Sequence, residues 1–507
     1  MKGVLVSLPF QDPSVPPFGI ALLAAALSEA GLEYRVVDAN LNFLSHMEEG
    51  IHFNPSHYGS AQEYLTAFRK LQQTLIQKTP EGSPFLLRPF QLNTEAWPDL
   101  HKLKSVAADP LWAQWLNAGI VDSILLNNPD WVGLSVCFEG QLPAALALGA
   151  ALKGKTCVIF GGGLINAFSD AVSEQTPIWH ATDAVIVGAG ERLLSALRKT
   201  SNGIKPPCNA LIQQYAQGWI ARSAENLEPA RRPHFDKMPL EKYRAAGRIL
   251  PYRIFDRCHW RRCQFCADAR YHAHFDRLEG NPERIAEELL CIQAKHKADG
   301  FYFLDAELPA QFLLSLAALL KGSHLRWGGN VRIEKALATD GAASILYDGG
   351  CRFLRFGLES ASPNVLKAMY KGITPLLADR VLKSVAQSKI GVHVYLMQDF
   401  PGETQEDALL TKKFLLDHVD CIDSFNISTF ALYEGAPLLK NIPPENIIRD
   451  VQPDMWTYPR FRLPNKSILS EEQIETQFYS LKGATRCFPT TADSIMLSER
   501  FLLDFTA

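Results

Sequence analysis

Short apolar runs alternate with helical repeats through the first 200 residues of the chain. Residues 3–8 predict a buried strand, and residues 20–27 repeat apolar side chains at helical spacing up to Gly31, a typical helix C-cap. A second strand is predicted at 34–37, closed by Asp38. The pattern resumes with strands at 131–137, 156–160 and 184–187 and a helix at 142–152. This alternation predicts a parallel α/β sheet.

Glycines follow the predicted strands of this region. Because bare backbone allows close approach, glycines at the carboxyl ends of parallel strands are typical of ligand sites in doubly wound sheets. Plain tight turns would give the same pattern. The glycines concerned, with the acidic residue after them, are Gly161, Gly162, Gly163, Gly188, Gly190 and Glu191.

Residues 41–127 interrupt the alternation. Two groups of apolar residues recur there at helical spacing, namely Tyr64, Phe68, Leu71 and Leu75, and then Leu111, Trp112, Trp115 and Leu116. Such stripes predict a helical insertion that buries its own apolar face. A cap over the ligand edge of the sheet is the alternative.

The second half of the chain repeats the strand–helix alternation more regularly. Prolines recur and periodicity fades over residues 201–245, which predicts a linker. Beyond it, a strand before residue 253 is followed by predicted strands at 301–304, 325–331, 353–356, 392–397 and 424–430, with helices between them. Six strands in this order predict a partial (β/α)6 barrel over residues 246–440, whose chemistry is expected at the strand carboxyl ends. The aromatic residues of 441–507 predict a C-terminal cover over the barrel, which includes Trp456, Tyr458, Phe461, Phe478 and Phe488.

Composition narrows the class of protein. The 507 residues are 47% hydrophobic and 21% charged, which excludes a disordered or fibrous chain. Lys and Arg number 51 against 54 Asp and Glu, so the net charge of −3 gives no sign of a nucleic-acid partner. No signal peptide or membrane-spanning stretch is evident, which predicts a soluble cytoplasmic protein without a membrane partner.

Three of the ten cysteines crowd into nine residues, as Cys258, Cys263 and Cys266. The spacing is C-x4-C-x2-C, and three thiolates on one loop can hold a 4Fe–4S cluster with one open coordination position. A structural zinc site that recruits His259, His272 or His274, and plain coincidence, are the alternatives. Arginines surround the loop, and compensation of an anionic cluster explains them more simply than a nucleic-acid contact; they are Arg253, Arg257, Arg261, Arg262 and Arg270.

The cysteine loop resembles the signature of radical S-adenosylmethionine (SAM) enzymes, although their common spacing is C-x3-C-x2-C and Trp260 lies within the longer interval here. The resemblance implies that the cysteines hold the cluster and that Phe265 lies against the SAM adenine. It also implies that residues 401–404, Pro-Gly-Glu-Thr, are a landmark after the fifth strand, with Asp399 where relatives often carry glycine. The polar residues implied to bind SAM, each of which could instead form a structural salt bridge or cap, are Asp305, Glu307, Arg332, Glu359 and Ser360.

The N-terminal region resembles the Rossmann-like cobalamin-binding domain that is fused to many radical SAM enzymes. No Asp-x-His-x-x-Gly motif occurs, so no histidine is offered as the lower ligand of cobalt; this also fits a domain that has lost cobalamin. The residues implied to contact cobalamin are Pro17, Phe18, Gly19, Ser135, Gln141, Gly161, Gly162, Gly188, Gly190 and Glu191.

Together the resemblances imply an α/β protein with a cobalamin-binding domain at 1–200, a linker, a radical SAM barrel and a cover. The implied cofactors are a 4Fe–4S cluster, SAM and cobalamin, and the implied partners are a peptide or small-molecule substrate and a flavodoxin- or ferredoxin-type electron donor. The implied activity is methyl transfer to an unactivated carbon. Rearrangement, ring contraction or oxidation without methyl transfer, and a zinc-stapled binding protein, are the alternatives.

Overall fold

The computed structural model describes residues 1–47, 70, 73–74, 76–78, 85–88, 91–94, 109–173, 176–201, 203–208, 210–223, 232–244, 247–255, 258–267, 280–433, 435–449, 460–462 and 469–482. These residues divide into two compact units, one up to Arg244 and one after it. Each unit is built around its own sheet.

The first unit contains a seven-stranded sheet in which every pairing is parallel except that of its last two strands. Its strands are β1 (Lys2–Ser7), β2 (Glu33–Asp38), β5 (Trp131–Ser135), β6 (Cys157–Gly161), β7 (Ala184–Val187), β10 (Ala210–Gln214) and β11 (Trp219–Ser223). Two hairpins lie outside this sheet, β3 (Phe85–Arg88) with β4 (Gln91–Thr94), and β8 (Arg198–Thr200) with β9 (Gly203–Lys205). The sheet order is β10-β11-β7-β6-β5-β1-β2, so the parallel α/β layer predicted from the apolar runs is confirmed.

Apolar helices connect the strands of this sheet. The helix Leu142–Leu152 has the predicted bounds, and Gly31, after the first helix, adopts the positive φ of +66° that its C-cap pattern indicates. The helices are α1 (Phe18–Glu29), α2 (Ala39–Met47), α3 (Pro110–Trp115), α4 (Val121–Leu125), α5 (Leu142–Leu152), α6 (Gly163–Phe168) and α7 (Gly190–Ser195).

The structure revises the expected linker of the first unit and agrees with the expected insertion. Residues 201–245 are more than a linker, because β10 and β11 extend the sheet beside β7; the run 219–223 is too short for its periodicity to stand out. In the insertion, Trp112 and Trp115 are fully buried and pack against Phe43, with ring centroids 5.7 and 5.6 Å away. This contact supports an insertion that buries its own apolar face. The other predicted stripe, Tyr64 to Leu75, lies outside the described residues.

The second unit contains a six-stranded sheet in which all pairings are parallel and the order follows the chain. Its strands are β12 (Ile249–Tyr252), β13 (Gly300–Leu308), β14 (Arg326–Val331), β15 (Cys351–Glu359), β16 (Gly391–Gln398) and β17 (Ser424–Thr429). The intervening helices are α8 (Pro282–His296), α9 (Ala310–Leu320), α10 (Ala342–Asp348), α11 (Pro363–Ala368), α12 (Pro375–Gln387) and α13 (Gln405–Asp417). The six predicted strands are confirmed, in the strand order of a partial (β/α)6 barrel.

Two of these strands are longer than the apolar pattern predicts. Strand β13 continues through Asp305 and Glu307, and β15 continues through Glu359. Polar residues at a strand end interrupt the apolar signal without interrupting the backbone pairing. Three of the candidate SAM-binding residues, Asp305, Glu307 and Glu359, therefore belong to the sheet itself.

A small three-stranded sheet and one helix follow the last strand of the six. They are β18 (Leu432–Tyr433), β19 (Ile448–Arg449), β20 (Arg460–Arg462) and α14 (Glu471–Leu481). Phe478 of α14 is buried against Phe425 of β17, with ring centroids 4.9 Å apart. Phe461 lies in β20, and the other aromatic residues predicted for the cover, Trp456, Tyr458 and Phe488, lie outside the described residues. A search of the described helices for one both long and apolar enough to cross a bilayer finds none.

Candidate functional site

The cysteine loop follows β12, at the carboxyl end of the six-stranded sheet. Cys258, Cys263 and Cys266 are partly buried and form no disulfide with a described residue. The backbone N–H of Gln264 donates to Met369 O at 3.0 Å, and Gln264 O accepts from Leu438 N–H at 2.9 Å. Main-chain bonds on both sides of Gln264 therefore fix the loop between the second and third cysteines.

Asp305 anchors the chain that enters this loop. Its carboxylate is 1% exposed and accepts hydrogen bonds from the backbone N–H groups of Ile254, at 3.1 Å, and Phe255, at 2.6 Å. Burial raises the pKa of Asp305 to about 7. The sequence implied that Asp305 contacts SAM, but in the structure both carboxylate oxygens bind the backbone that leads to Cys258.

His259 links the loop to two acidic residues. Its Nδ1 lies 2.8 Å from Glu307 Oε2, and its Nε2 is hydrogen-bonded to Glu334 Oε1 at 2.9 Å. These carboxylates raise the pKa of His259 to about 9. A protonated imidazole has no lone pair for a metal, so this position between two carboxylates leaves His259 poorly prepared to complete a zinc site with the cysteines. His272 and His274, the other histidines considered for zinc, lie outside the described residues.

Glu307 also contacts the first cysteine of the loop. The Cys258 thiol donates to Glu307 Oε2 at 3.1 Å, while Glu307 Oε1 is buried and has no hydrogen-bond partner among the described residues. Burial, with the Glu307 charge added, raises the pKa of Cys258 to about 12, and burial raises the pKa of Cys263. A coordinating metal deprotonates such thiols. The unpartnered oxygen beside Cys258 is a feature that a bound ligand would satisfy.

Two buried cations lie near Cys263. Arg332 is 6% exposed, and Lys371, which the sequence analysis missed, forms an ion pair with Glu359 at 2.8 Å. Both lower the pKa of the Cys263 thiol and so oppose the effect of burial. Although burial opposes its charge, the Glu359 carboxylate raises the pKa of Lys371. The only sequence signal for Lys371 is an isolated lysine before Gly372 at the end of a short apolar helix.

The last two predicted SAM-binding residues differ in environment. Glu359 has a φ of +65°, an uncommon conformation for a residue other than glycine, and such backbone outliers are frequent at functional sites. Ser360 is fully buried, where its hydroxyl is 3.0 Å from Thr411 Oγ1 and accepts from Ser362 N–H. Ser360 therefore contacts helix α13 through Thr411. Phe265, the residue implied to contact adenine, is partly buried against Met369 and Phe400.

A cavity lies at the carboxyl ends of β1, β5, β6 and β7 in the first unit. Its walls are apolar side chains and bare glycine backbone, with few polar groups. The residues implied by sequence to contact cobalamin that line this cavity are Gly19, Ser135, Gly161, Gly162, Gly188, Gly190 and Glu191. The structure thus gathers seven positions from four separate segments of the chain at one place.

The backbone geometry of this cavity requires glycine at two positions. A Cβ on Gly162 would lie 2.5 Å from Val136 O, and one on Gly188 would lie 2.1 Å from Ser223 Oγ. Their φ values are +109° and +90°, which side chains rarely tolerate. Plain turns in open space would not need both the conformation and the close approach. The glycines therefore shape the cavity wall.

The other three residues implied to contact cobalamin do not line the cavity. Pro17 is buried at the N-cap of α1, with Phe18 as the first helical residue. Gln141 is buried, where it accepts from Cys137 N–H at 2.7 Å and donates to Leu8 O at 3.0 Å. These residues support the loops after β1 and β5. Sequence reasoning missed Asn166, which lines the cavity and accepts from Gly188 N–H at 2.9 Å; no motif marks it.

Two methyltransferases are similar in sequence to part of this chain. No family model matches the chain. An uncharacterized methyltransferase of Pyrococcus horikoshii is 25% identical over 308 residues, or 57% of this chain and 64% of that protein. Bacteriochlorophyllide d C-12(1)-methyltransferase of Chlorobaculum tepidum is 22% identical over 219 residues, or 42% of this chain and 46% of that protein. The chain therefore covers less than two thirds of the length of either relative.

Solved structures resemble almost the whole chain. One is the radical SAM methyltransferase TsrM from Kitasatospora setae, solved with tryptophan substrate and a SAM analog. It superposes on this chain with a TM-score of 0.56 at 14% identity, and the match covers 95% of this chain and 88% of the TsrM chain. OxsB, a cobalamin-dependent SAM radical enzyme solved with aqua-cobalamin and SAM, gives 0.55 at 13% identity and covers 99% of this chain and 75% of its own. The likeness to cobalamin-domain radical SAM enzymes that the sequence predicted is confirmed, and the chain has the α/β fold with parallel sheets of these cobalamin-dependent radical SAM enzymes.

Proposed function

We propose that this protein is a cobalamin-dependent radical SAM enzyme that transfers a methyl group to an unactivated carbon of a peptide or natural-product substrate. One observation carries the proposal: three free cysteines share a fixed loop at the carboxyl end of a parallel sheet, beside buried acidic and basic side chains. The methyltransferase relatives support the choice of reaction.

The cysteine loop fits a 4Fe–4S cluster. Its three thiols are partly buried, and Arg332 and Lys371 place positive charge next to Cys263, where an anionic cluster needs it. When bound, a reduced cluster supplies the single electron that cleaves SAM into methionine and a 5′-deoxyadenosyl radical. Cys258, Cys263 and Cys266 would hold it, which leaves the fourth iron open to SAM.

The polar side chains around the loop would bind and orient SAM. In this proposal Glu307, with one oxygen unpartnered, accepts from the amino group, and Arg332 takes the carboxylate. Glu359 accepts from the ribose hydroxyls, and Phe265 covers the adenine. Asp305 does not contact SAM in this proposal, because its carboxylate binds the backbone that leads to Cys258. The task of these residues is to fix the target carbon near the reactive carbon and to exclude water.

The cavity of the first unit fits the nucleotide tail of cobalamin. Its glycine walls leave room that a Cβ at Gly162 or Gly188 would fill, and its lining is largely apolar. When bound, methylcobalamin supplies the methyl group, which a second SAM molecule can restore. Ser135, Asn166 and Glu191 offer the polar contacts among the lining residues.

Anaerobic purification with quantification of iron, sulfide and corrinoid tests the proposal. We expect about four irons per chain, bound corrinoid after supply of cobalamin, and formation of 5′-deoxyadenosine and S-adenosylhomocysteine on incubation with candidate substrates, measured by mass spectrometry. Iron and sulfide without corrinoid would favour radical SAM chemistry without methyl transfer. Zinc without iron would indicate a zinc-stapled binding protein and would refute the proposal.

A further inference from the structure

The extra residue in the cysteine loop places an indole ring beside a buried cation. The guanidinium carbon of Arg332 lies 3.8 Å from the centroid of the Trp260 ring, which is within cation–π range. Trp260 Nε1–H donates to Tyr370 O at 2.9 Å, so the ring is held at its polar end as well. The ring is therefore positioned by a contact on its face and another at its edge.

The turn at residues 369–372 is shaped to receive this ring. Gly372 has a φ of +70°, and a Cβ there would lie 2.3 Å from the Trp260 ring and 3.0 Å from Arg332 Nη2. Arg332 Nη2 also donates to Lys371 O. The same turn accepts the Gln264 N–H through Met369 O. The turn at residues 369–372, the Trp260 ring and the Arg332 guanidinium thus pack against one another.

Among the described residues, no carboxylate contacts the Arg332 guanidinium directly, although the charges of Glu307 and Glu334 act on it from further away. In the described parts of the chain it makes no ion pair, and its contacts are the Trp260 face and the Lys371 carbonyl. Its neighbour Lys371, in contrast, is paired with Glu359. Arg332 is therefore a buried cation close to Cys263 that is not held in an ion pair with a described residue.

We propose that Trp260 is a positioning residue that holds Arg332 against the cysteine loop, and that this placement raises the reduction potential of the cluster. The inference rests on the proposed function. Reduction adds one electron to a cluster already made anionic by three thiolates, and it breaks no bond. A buried cation stabilises the more negative, reduced state more than the oxidised state, because the interaction of charges is stronger away from water.

The test is an EPR-monitored redox titration of the reconstituted holoenzyme without SAM, with sodium dithionite as reductant. Three variants, R332Q, W260L and their double variant, are compared with wild type. R326Q removes a matched charge from the far end of β14, about 20 Å along the strand, and serves as the control. R332K keeps the charge, and W260F keeps an aromatic face but removes the Nε1–H.

We expect R332Q to shift the midpoint potential to a more negative value, and W260L to shift it in the same direction by a smaller amount. The double variant should match R332Q, because Trp260 acts through Arg332. The midpoint potential of R332K should lie between those of R332Q and wild type, and that of W260F between those of W260L and wild type. R326Q should not move the potential. W260F and R332K also provide the comparison if a larger change prevents iron uptake.

Two results would overturn the inference. One is an R332Q potential no different from that of R326Q, and the other is a W260L shift that adds in full to that of R332Q. Either result leaves the proposed function intact, since the wild-type cluster and SAM cleavage would still be observed. A wild-type protein that takes up no iron–sulfur cluster would instead refute the proposed function itself.

Discussion

The two candidate cofactor regions occupy the same kind of place, the carboxyl ends of parallel strands, but they are built from opposite materials. In the first unit the cavity is lined by glycine and apolar side chains, and its form depends on where Cβ atoms are missing. In the second unit the loop at Cys258–Cys266 is surrounded by charged side chains, and His259 within it meets Glu307 and Glu334 from distant parts of the sequence. The first region depends on the space left by absent side chains, and the second depends on the charges of buried side chains.

This difference indicates how each region should fail. A site defined by space is damaged by added atoms, whereas a site defined by charge is damaged when one partner is removed and the other stays buried. The following predictions test this contrast.

The largest effect is expected from the cysteines. Replacement of Cys258, Cys263 or Cys266 by Ala should reduce bound iron and 5′-deoxyadenosine formation at least about 100-fold, because each removes a direct cluster ligand. The matched control is C291A, since Cys291 is an exposed thiol on α8 of the same unit. Iron analysis and mass spectrometry report the outcome. SAM cleavage that survives all three changes would show that the loop does not hold the cluster.

The next effect concerns the ion pair between Lys371 and Glu359. K371M leaves a buried carboxylate without its partner and should lower the free energy of unfolding by about 3–5 kcal/mol. The double variant K371M/E359Q should recover most of this loss, because neither charge of the pair remains. Urea denaturation of the four proteins of this double-mutant cycle measures the coupling. Equal losses in K371M and the double variant would contradict the buried ion pair.

In the first unit, a methyl group added at a cavity glycine should destabilise the fold to an extent comparable with the loss of Lys371. G162A should lower the free energy of unfolding by about 2–4 kcal/mol through strain at positive φ and contact with Val136 O, and should reduce corrinoid retention. Gly154 has a φ of +80° but open space around it, so G154A measures strain alone, about 1–2 kcal/mol. Thermal unfolding and corrinoid content distinguish them. Equal behaviour of the two variants would mean that space at Gly162 does not matter.

The smallest effect concerns acid stability of the six-stranded sheet. Burial, with the nearby charge of Arg355, lowers the pKa of His393 to about 3, where its Nδ1 contacts Ser424 and its ring packs on Tyr395. The unfolded chain then binds a proton below about pH 6.5 that the folded chain does not. The contribution of His393 to the free energy of unfolding should therefore fall by about 2 kcal/mol as the pH is lowered from 7 to 5.

The variant H393Q isolates this dependence on pH. Asp305, whose raised pKa means that the folded state holds the extra proton, acts in the opposite direction, so wild type alone would mix the two. The difference in free energy of unfolding between wild type and H393Q should therefore change as pH falls from 7 to 5, as measured by urea denaturation. A difference that stays constant would show that His393 is not held neutral.

Much of the fold could be read from local pattern. The helix Leu142–Leu152 and the strand Ala184–Val187 match their predicted bounds, since their apolar spacing is uninterrupted. Strands β10 and β11 were missed because they are short and lie in a segment dominated by turn residues. The predicted end of β13 is too early for another reason, because polar residues at a strand end interrupt the apolar signal.

The sequence by itself determined which elements form and which residues could carry chemistry: the cysteine triplet, the glycines after the strands, and the acidic and basic residues at strand ends. The tertiary structure decided what each of them does. Asp305 binds the loop backbone, Lys371 pairs with Glu359, and Arg332 lies on Trp260. His259 and Glu334, 75 residues apart, meet only when β12 and β14 take their places in the sheet. Spacing along a chain encodes local periodicity, but the partner of a buried charge is chosen by packing across the fold.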